Sequence, residues 1–293
     1  MKGETAIYPH MENRTITENR LCAFTAFLQK EEKSPATVEK YLREAQCFAA
    51  WLAAHGAEVN KEAVTAYKEE LLNKGVCPAT VNGKLTGLDR LFGFLGWEGC
   101  KVKHLKVQRR LFREPGRELT REEYERLVIA ARTAGKARLA LLLEAICATG
   151  IRVSEVRYLT VEAARMGKAE IMLKGKIRTI LLPNKLCHKL LKYAKKQNTA
   201  AGEVFVTRSG KSLSRKQIWA EMKALCKQAN VSPSKVFPHN LRHLFARIFY
   251  KACKDVAKLA DVLGHSSIET TRIYLISTGA EHAKMLEKLR LVS

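Results

Sequence analysis

Apolar residues recur every three to four positions over most of the chain, the spacing of one buried face of an α-helix. Thr17 can cap a first helix with Leu21, Phe24 and Leu28 on that face. Ser34-Pro35 is a strong start signal, because Ser accepts an orphan N–H and Pro fits the first helical position. The helix it opens carries Val38, Leu42, Ala45, Phe48 and Leu52 and stops near Gly56. A third follows Asn60 with Val64, Tyr67 and Leu71, and stops at Gly75. A fourth begins near Pro78 with Val81, Leu85, Leu88, Phe92 and Leu95. Its glycines at 83, 87 and 93 either weaken it or allow a close helix contact. The first hundred residues therefore read as a four-helix module, residues 15–100, behind a flexible leader at 1–14.

The pattern restarts after residue 117. Thr120 and Glu123 form a capping box, and helices are expected over 124–131 and 137–148, the second closed by Gly150. Residues 169–182 change period: two β-prone runs flank Lys174-Gly175-Lys176 and predict a β-hairpin. Asn184 can cap a further helix, Val204 to Val206 reads as a short strand, and Ser214 can cap a helix running through Cys226. Helical segments are expected near 240–253, 255–263, 268–276 and 280–291. The chain as a whole is mainly α with a small β-sheet, its second part, residues 118–293, being α+β.

Charge changes the picture. The 293 residues hold 52 Lys and Arg against 29 Asp and Glu, a net charge of +23. Residues 1–100 are nearly neutral at −1, residues 101–117 carry +6 and residues 118–293 carry +18. An excess spread over many elements fits an extended polyanion, DNA or RNA, better than a membrane surface. The segment 101–117, KVKHLKVQRRLFREPGR, reads as a basic linker that tracks phosphates. The longest apolar stretch, 139–148, is broken by Glu144 and too short to span a bilayer, and the N-terminus has no signal-peptide core. None of the eight cysteines lies within 22 residues of another, so no zinc-ligand spacing occurs, and they read as reduced, cytoplasmic thiols.

Three segments of the second part carry candidate chemistry. They are Ala148-Thr149-Gly150-Ile151-Arg152-Val153-Ser154-Glu155, Pro238-His239-Asn240-Leu241-Arg242-His243, and Leu263-Gly264-His265-Ser266-Ser267 with Tyr274 nine residues after His265. If they converge, two arginine forks can hold the oxygens of one phosphate. Preorganised cations stabilise the extra negative charge of a pentacoordinate transition state more than the ground state. A tyrosine hydroxyl, a poor nucleophile with a pKa near 10, becomes competent beside cations and a histidine base. A lysine at the hairpin tip can protonate the leaving oxygen, so neither metal nor other cofactor is required. Singly, each residue has a plain structural use: Arg152 as a helix-start charge, His239 as a cap, His265 in a loop, Tyr274 as a packed aromatic, the lysines as solubilising groups. An accidental pattern needs all of these at once.

The ordered set A-T-G-I-R-V-S-E, H-x-L-R-H and L-G-H-S-S-(x)6-Y resembles the tyrosine recombinase, or lambda-integrase, family. The separations, 87 residues from Arg152 to His239 and 23 from Arg242 to His265, are natural for its catalytic domain. The resemblance implies a helical, SAM-like core-binding domain followed by a catalytic domain. It implies Arg152 and Arg242 as phosphate-binding arginines, His239 as the residue assisting proton transfer, and His265 as a phosphate hydrogen-bonding group. It implies Lys174 as general acid and Tyr274 as the nucleophile that forms a 3′-phosphotyrosyl link. The family hairpin has a longer turn, so Lys176 remains an alternative acid. Glu155 is expected to orient neighbouring basic groups, or to be a helix-surface acid. A tetramer acting on two DNA sites through a Holliday junction is also implied, with accessory DNA-bending proteins as possible partners. The last helix is a candidate for docking on a neighbouring protomer or for packing on its own domain. A type IB topoisomerase-like enzyme and a non-catalytic DNA-binding regulator are the competing readings.

Overall fold

The computed structural model describes residues 14–107, 115–173, 176–265, 267–272, 274 and 287–289. The chain divides into two compact units, Met1–Arg109 and Arg110–Ser293. Most of the predicted leader, the middle of the basic segment, the hairpin tip with Lys174, and most of the last predicted helix lie outside the described residues.

The first unit contains four helices, α1 (Glu18–Lys30), α2 (Pro35–His55), α3 (Lys61–Asn73) and α4 (Pro78–Leu95). Their starts follow local chemistry. The Thr17 and Asn60 side chains accept backbone N–H groups, while Pro35 and Pro78 open α2 and α4 where no donor is missed. The periodic apolar face becomes the core: Phe24, Phe48, Val81, Leu85, Leu91 and Phe92 are fully buried. Each such side chain contributes roughly 1.5–3 kcal/mol by leaving water. The α4 glycines do not break the helix. At Gly87 a Cβ would lie only 3.2 Å from the Glu44 Cβ, so that glycine lets α4 approach α2 closely.

The second unit is built on α6 (Ala137–Thr149), which follows α5 (Arg121–Thr133) and is buried almost all round. The Thr120–Glu123 capping box is formed at the start of α5. A 3-10 turn (Val153–Tyr158) leads to α7 (Val161–Met166) and the antiparallel hairpin of β1 (Lys168–Leu173) and β2 (Lys176–Leu181). The hairpin pairs Ala169 with Ile180 and Ile171 with Arg178, and Ala169, Ile171 and Ile180 are buried. α8 (Asn184–Lys196) packs on α6 and α7. α9 (Arg215–Lys223) and α10 (Cys226–Ala229) replace the single helix expected from Ser214 through Cys226. Val204 and Phe205 are buried, but the expected strand reduces to isolated bridges, Thr160 to Glu203 and Val206 to Ser212.

The site depends on the last three helices, α11 (Pro238–Cys253), α12 (Val256–Leu263) and α13 (Ile268–Arg272). α11 packs against α6, and α12 against α11. α6 and α12 end in the same way, on a glycine in the left-handed region, Gly150 at φ +62° and Gly264 at φ +61°. Neither position tolerates a side chain. A Cβ at 150 would lie 2.4 Å from the Phe245 ring. Gly150→Ala is therefore expected to lose about 2–4 kcal/mol of folding stability, left-handed backbone strain plus overpacking, as read by urea unfolding.

Candidate active site

The two helix ends meet at one guanidinium. Arg242, in the first turns of α11, is only 2% exposed. Its Nη1 donates to the Gly150 carbonyl and its Nη2 donates to the Leu263 carbonyl at 2.7 Å. Carbonyls at a helix C-terminus lack intrahelical partners and carry the negative end of the dipole, so they suit a buried cation. Nη2 also lies 2.9 Å from His265 Nε2, and the Tyr274 hydroxyl stands beside the Arg242 guanidinium and favours its charged form. Burial, with Arg152 adding to it, still lowers the Arg242 pKa.

Arg152 lies two residues after Gly150, at the start of the 3-10 turn. Its backbone N–H and its Nη1 donate to the two oxygens of Glu155 at 2.9 and 2.8 Å, and its Nη2 donates to the Gly264 carbonyl at 3.3 Å. Its side chain remains 40% exposed, whereas that of Glu155 is 3% exposed. Arg152 thus offers part of its fork to solvent beside the buried Arg242.

His265 is held from both sides. Arg242 can only donate, so His265 Nε2 accepts, which places the ring proton on Nδ1, 2.8 Å from the hydroxyl of buried Thr271. Burial, then Arg242, Arg152 and Arg178, push its pKa down to about 4. His239 reaches the surface at the start of α11, yet partial burial and the same two arginines, Arg242 and Arg152, lower its pKa as well.

Tyr274 is 5% exposed and packs among the histidines. Its ring stacks on His265 at 5.5 Å and 13°, and lies 4.4 Å from His243 and 5.9 Å from His239. Five of the six sequence candidates, Arg152, His239, Arg242, His265 and Tyr274, therefore share one site, and Lys174 lies outside the described residues. Sequence reasoning missed Arg178, whose Nη1 donates to Glu155 at 3.0 Å. An arginine on the buried face of a strand, opposite Ile171, was the available signal. Among the described residues no three His, Cys, Asp or Glu side chains converge as metal ligands. No described helix is long and apolar enough to cross a membrane.

A cluster of arginines at two helix ends, with a buried tyrosine and histidines packed against it, is the chemistry that suits a phosphodiester. Residues 117–281 match the Phage integrase family and residues 21–99 match its N-terminal SAM-like domain. The chain belongs to the phage integrase family. It is 29% identical over 282 residues to tyrosine recombinase XerA of Thermococcus kodakarensis, covering 91% of this chain and 95% of that one. In fold it is similar to a XerH site-specific recombinase bound to difH substrate, with a TM-score of 0.66, 18% identity, and 93% and 90% of the two chains covered. It is similar also to a lambda integrase tetramer bound to a Holliday junction, with a TM-score of 0.68, 18% identity, and 90% and 78% covered.

The His265 environment makes a direct prediction. A folded pKa of about 4 lies below the ordinary 6.5, so the unfolded chain binds this proton first. The group leaves stability unchanged above pH 6.5 and reduces it as pH falls from there towards 4. Imidazole nitrogen NMR is expected to show a neutral ring with its proton on Nδ1 at pH 6; a midpoint at or above 6.5 would contradict the packing described.

Proposed function

We propose that this protein is a site-specific DNA recombinase that cuts and rejoins strands through a 3′-phosphotyrosyl intermediate. The observation that carries the reading is Tyr274 stacked on His265 beside the buried Arg242, with the half-open Arg152 fork next to them. Arg152 and Arg242 bind the non-bridging oxygens of the scissile phosphate and stabilise its added charge in the transition state. The Tyr274 oxygen attacks phosphorus while His239, neutral because of its surroundings, helps take the phenolic proton. The P–O5′ bond breaks, and the leaving 5′-oxygen receives a proton from Lys174, with Lys176 as the alternative donor. The new phosphotyrosyl ester keeps the bond energy, and attack by a 5′-hydroxyl from the partner strand rejoins DNA without ATP. His265 contributes a hydrogen bond to the phosphate after rearrangement of its contact with Arg242.

In this reading residues 15–100 form the core-binding domain, 101–117 a basic strap along the backbone, and 118–293 the catalytic domain. Assembly as a tetramer on paired sites, with accessory DNA-bending proteins where the site requires them, and a cytoplasmic location belong to the same proposal. The lambda integrase tetramer on a Holliday junction supports the assembly. The topoisomerase-like and regulator readings are not favoured, because both matched regions are integrase domains.

The test is covalent trapping. A nicked suicide duplex carrying a site selected from random DNA by binding is expected to yield a protein–DNA adduct that survives denaturation. Tyr274→Phe should give none, and Arg242→Gln should slow adduct formation by about 10²–10³-fold. A wild-type protein that binds this site and never becomes linked to it would refute the reading.

A further inference from the structure

Arg178 is the third arginine of the site, and the mechanism above gives it no task. It stands on β2, and its side chain is 11% exposed. Nη1 donates to both oxygens of Glu155, at 3.0 and 3.3 Å, and Nη2 donates to the Val262 carbonyl at 3.0 Å. Nε is buried with no partner. Gly264 is bare where this side chain passes, since a Cβ there would lie 2.2 Å from the Arg178 Cδ. One fork thus joins three elements: β2, the 3-10 turn and the end of α12.

Stability alone does not account for it. Burying a third cation beside Arg152 and Arg242 lowers its pKa to about 10, and an apolar side chain of similar volume serves a core at least as well. What an arginine supplies is a planar fork that sets the distance between two acceptors. One acceptor, Glu155, is the group that holds both the backbone N–H and the guanidinium of Arg152. The other, the Val262 carbonyl, belongs to the helix end that also anchors Arg242 through Leu263.

We propose that Arg178 is a positioning residue for strand cleavage: it clamps Glu155 to the end of α12 and so fixes where Arg152 presents its fork. The proposal rests on the recombinase reading. Arg178 touches no substrate; its effect passes through Glu155 to Arg152, while Arg242 keeps a separate anchor on the Gly150 carbonyl. Lysine keeps the charge but cannot bridge both acceptors with fork geometry, and methionine keeps the volume alone.

The experiment uses the full chain and the suicide duplex, with cleavage followed in a single turnover at saturating DNA. Arg178→Lys and Arg178→Met are expected to bind the duplex within about threefold of wild type yet cleave about 10- to 100-fold more slowly. The thermal midpoint of Arg178→Lys should stay near wild type, so the lost rate is not lost fold. In an Arg152→Lys background the same replacements should cost less than about threefold, because the effect runs through Arg152. Wild-type rates in a folded Arg178→Lys, or the full loss repeated on top of Arg152→Lys, would overturn the proposal. If Arg178→Met does not fold, Arg178→Lys alone decides. Absence of an adduct from the wild type removes the recombinase reading and this proposal together, whereas a wild-type adduct with unimpaired Arg178 variants removes this proposal only.

Discussion

The second unit is organised around one buried cation. The Arg242 guanidinium is nearly inaccessible to solvent and, among the described residues, has no carboxylate directly bonded to it. An unpaired charge in that position is strongly unfavourable unless fixed dipoles replace the lost water. Here they do, because α6 and α12 both end beside it and turn carbonyls toward it. The left-handed glycines that end these helices are what bring the carbonyls together, and Phe245 and Arg178 fill the space a side chain would need. Helix termination, glycine usage and the position of the arginine are thus one constraint seen from three sides.

Burial, with the surplus of cations adding to it, sets the direction of every resolved shift in the cluster. Among the described residues Arg152 and Arg178 share one carboxylate, Glu155, and Arg242 stands near them without pairing to it. The surplus lowers the pKa of Arg178, Arg242, His239 and His265 alike, and burial is the largest cause for each. A site that holds more positive charge than its own folding requires is complementary to an anion. A phosphodiester supplies one negative charge in the ground state and more in a pentacoordinate transition state, so the field acts most strongly on the latter.

Much of this was legible in the sequence because helix starts and apolar periodicity are local signals. Thr17, Pro35, Asn60, Pro78 and Thr120 each mark the beginning of a helix. The same locality explains the failures. The chain after Ser214 carries helical periodicity through Cys226, but it breaks between Lys223 and Cys226 as Leu225 turns into the core. Val204 to Val206 has strand composition, yet it finds only single-bridge partners. The site was legible as a set of motifs because its residues are short-range neighbours of glycines and histidines. Arg178 belongs to no such motif; its meaning comes from Glu155, 23 residues away, and Val262, 84 residues away. Contacts of that span leave no periodic trace, except that strand alternation puts a charge on a buried face.

The donor inventory of Arg242 constrains how the proposed reaction begins. A guanidinium has five N–H groups. The Gly150 and Leu263 carbonyls take two of them, and these hold the helix ends that define the site. The donors facing His265 and the Tyr274 hydroxyl are different, since neither closes a helix. A phosphate entering beside Arg152 competes for those donors without disturbing the scaffold. A phosphate bound there stands next to the phenolic oxygen of Tyr274. Taking the donor from His265 frees Nε2, and a ring whose Nδ1 proton is already committed to Thr271 must reprotonate or turn before it can donate to the phosphate. Phosphate capture is then an exchange of hydrogen bonds on one arginine beside the nucleophile, which ties the chemistry to the interaction that holds the fold.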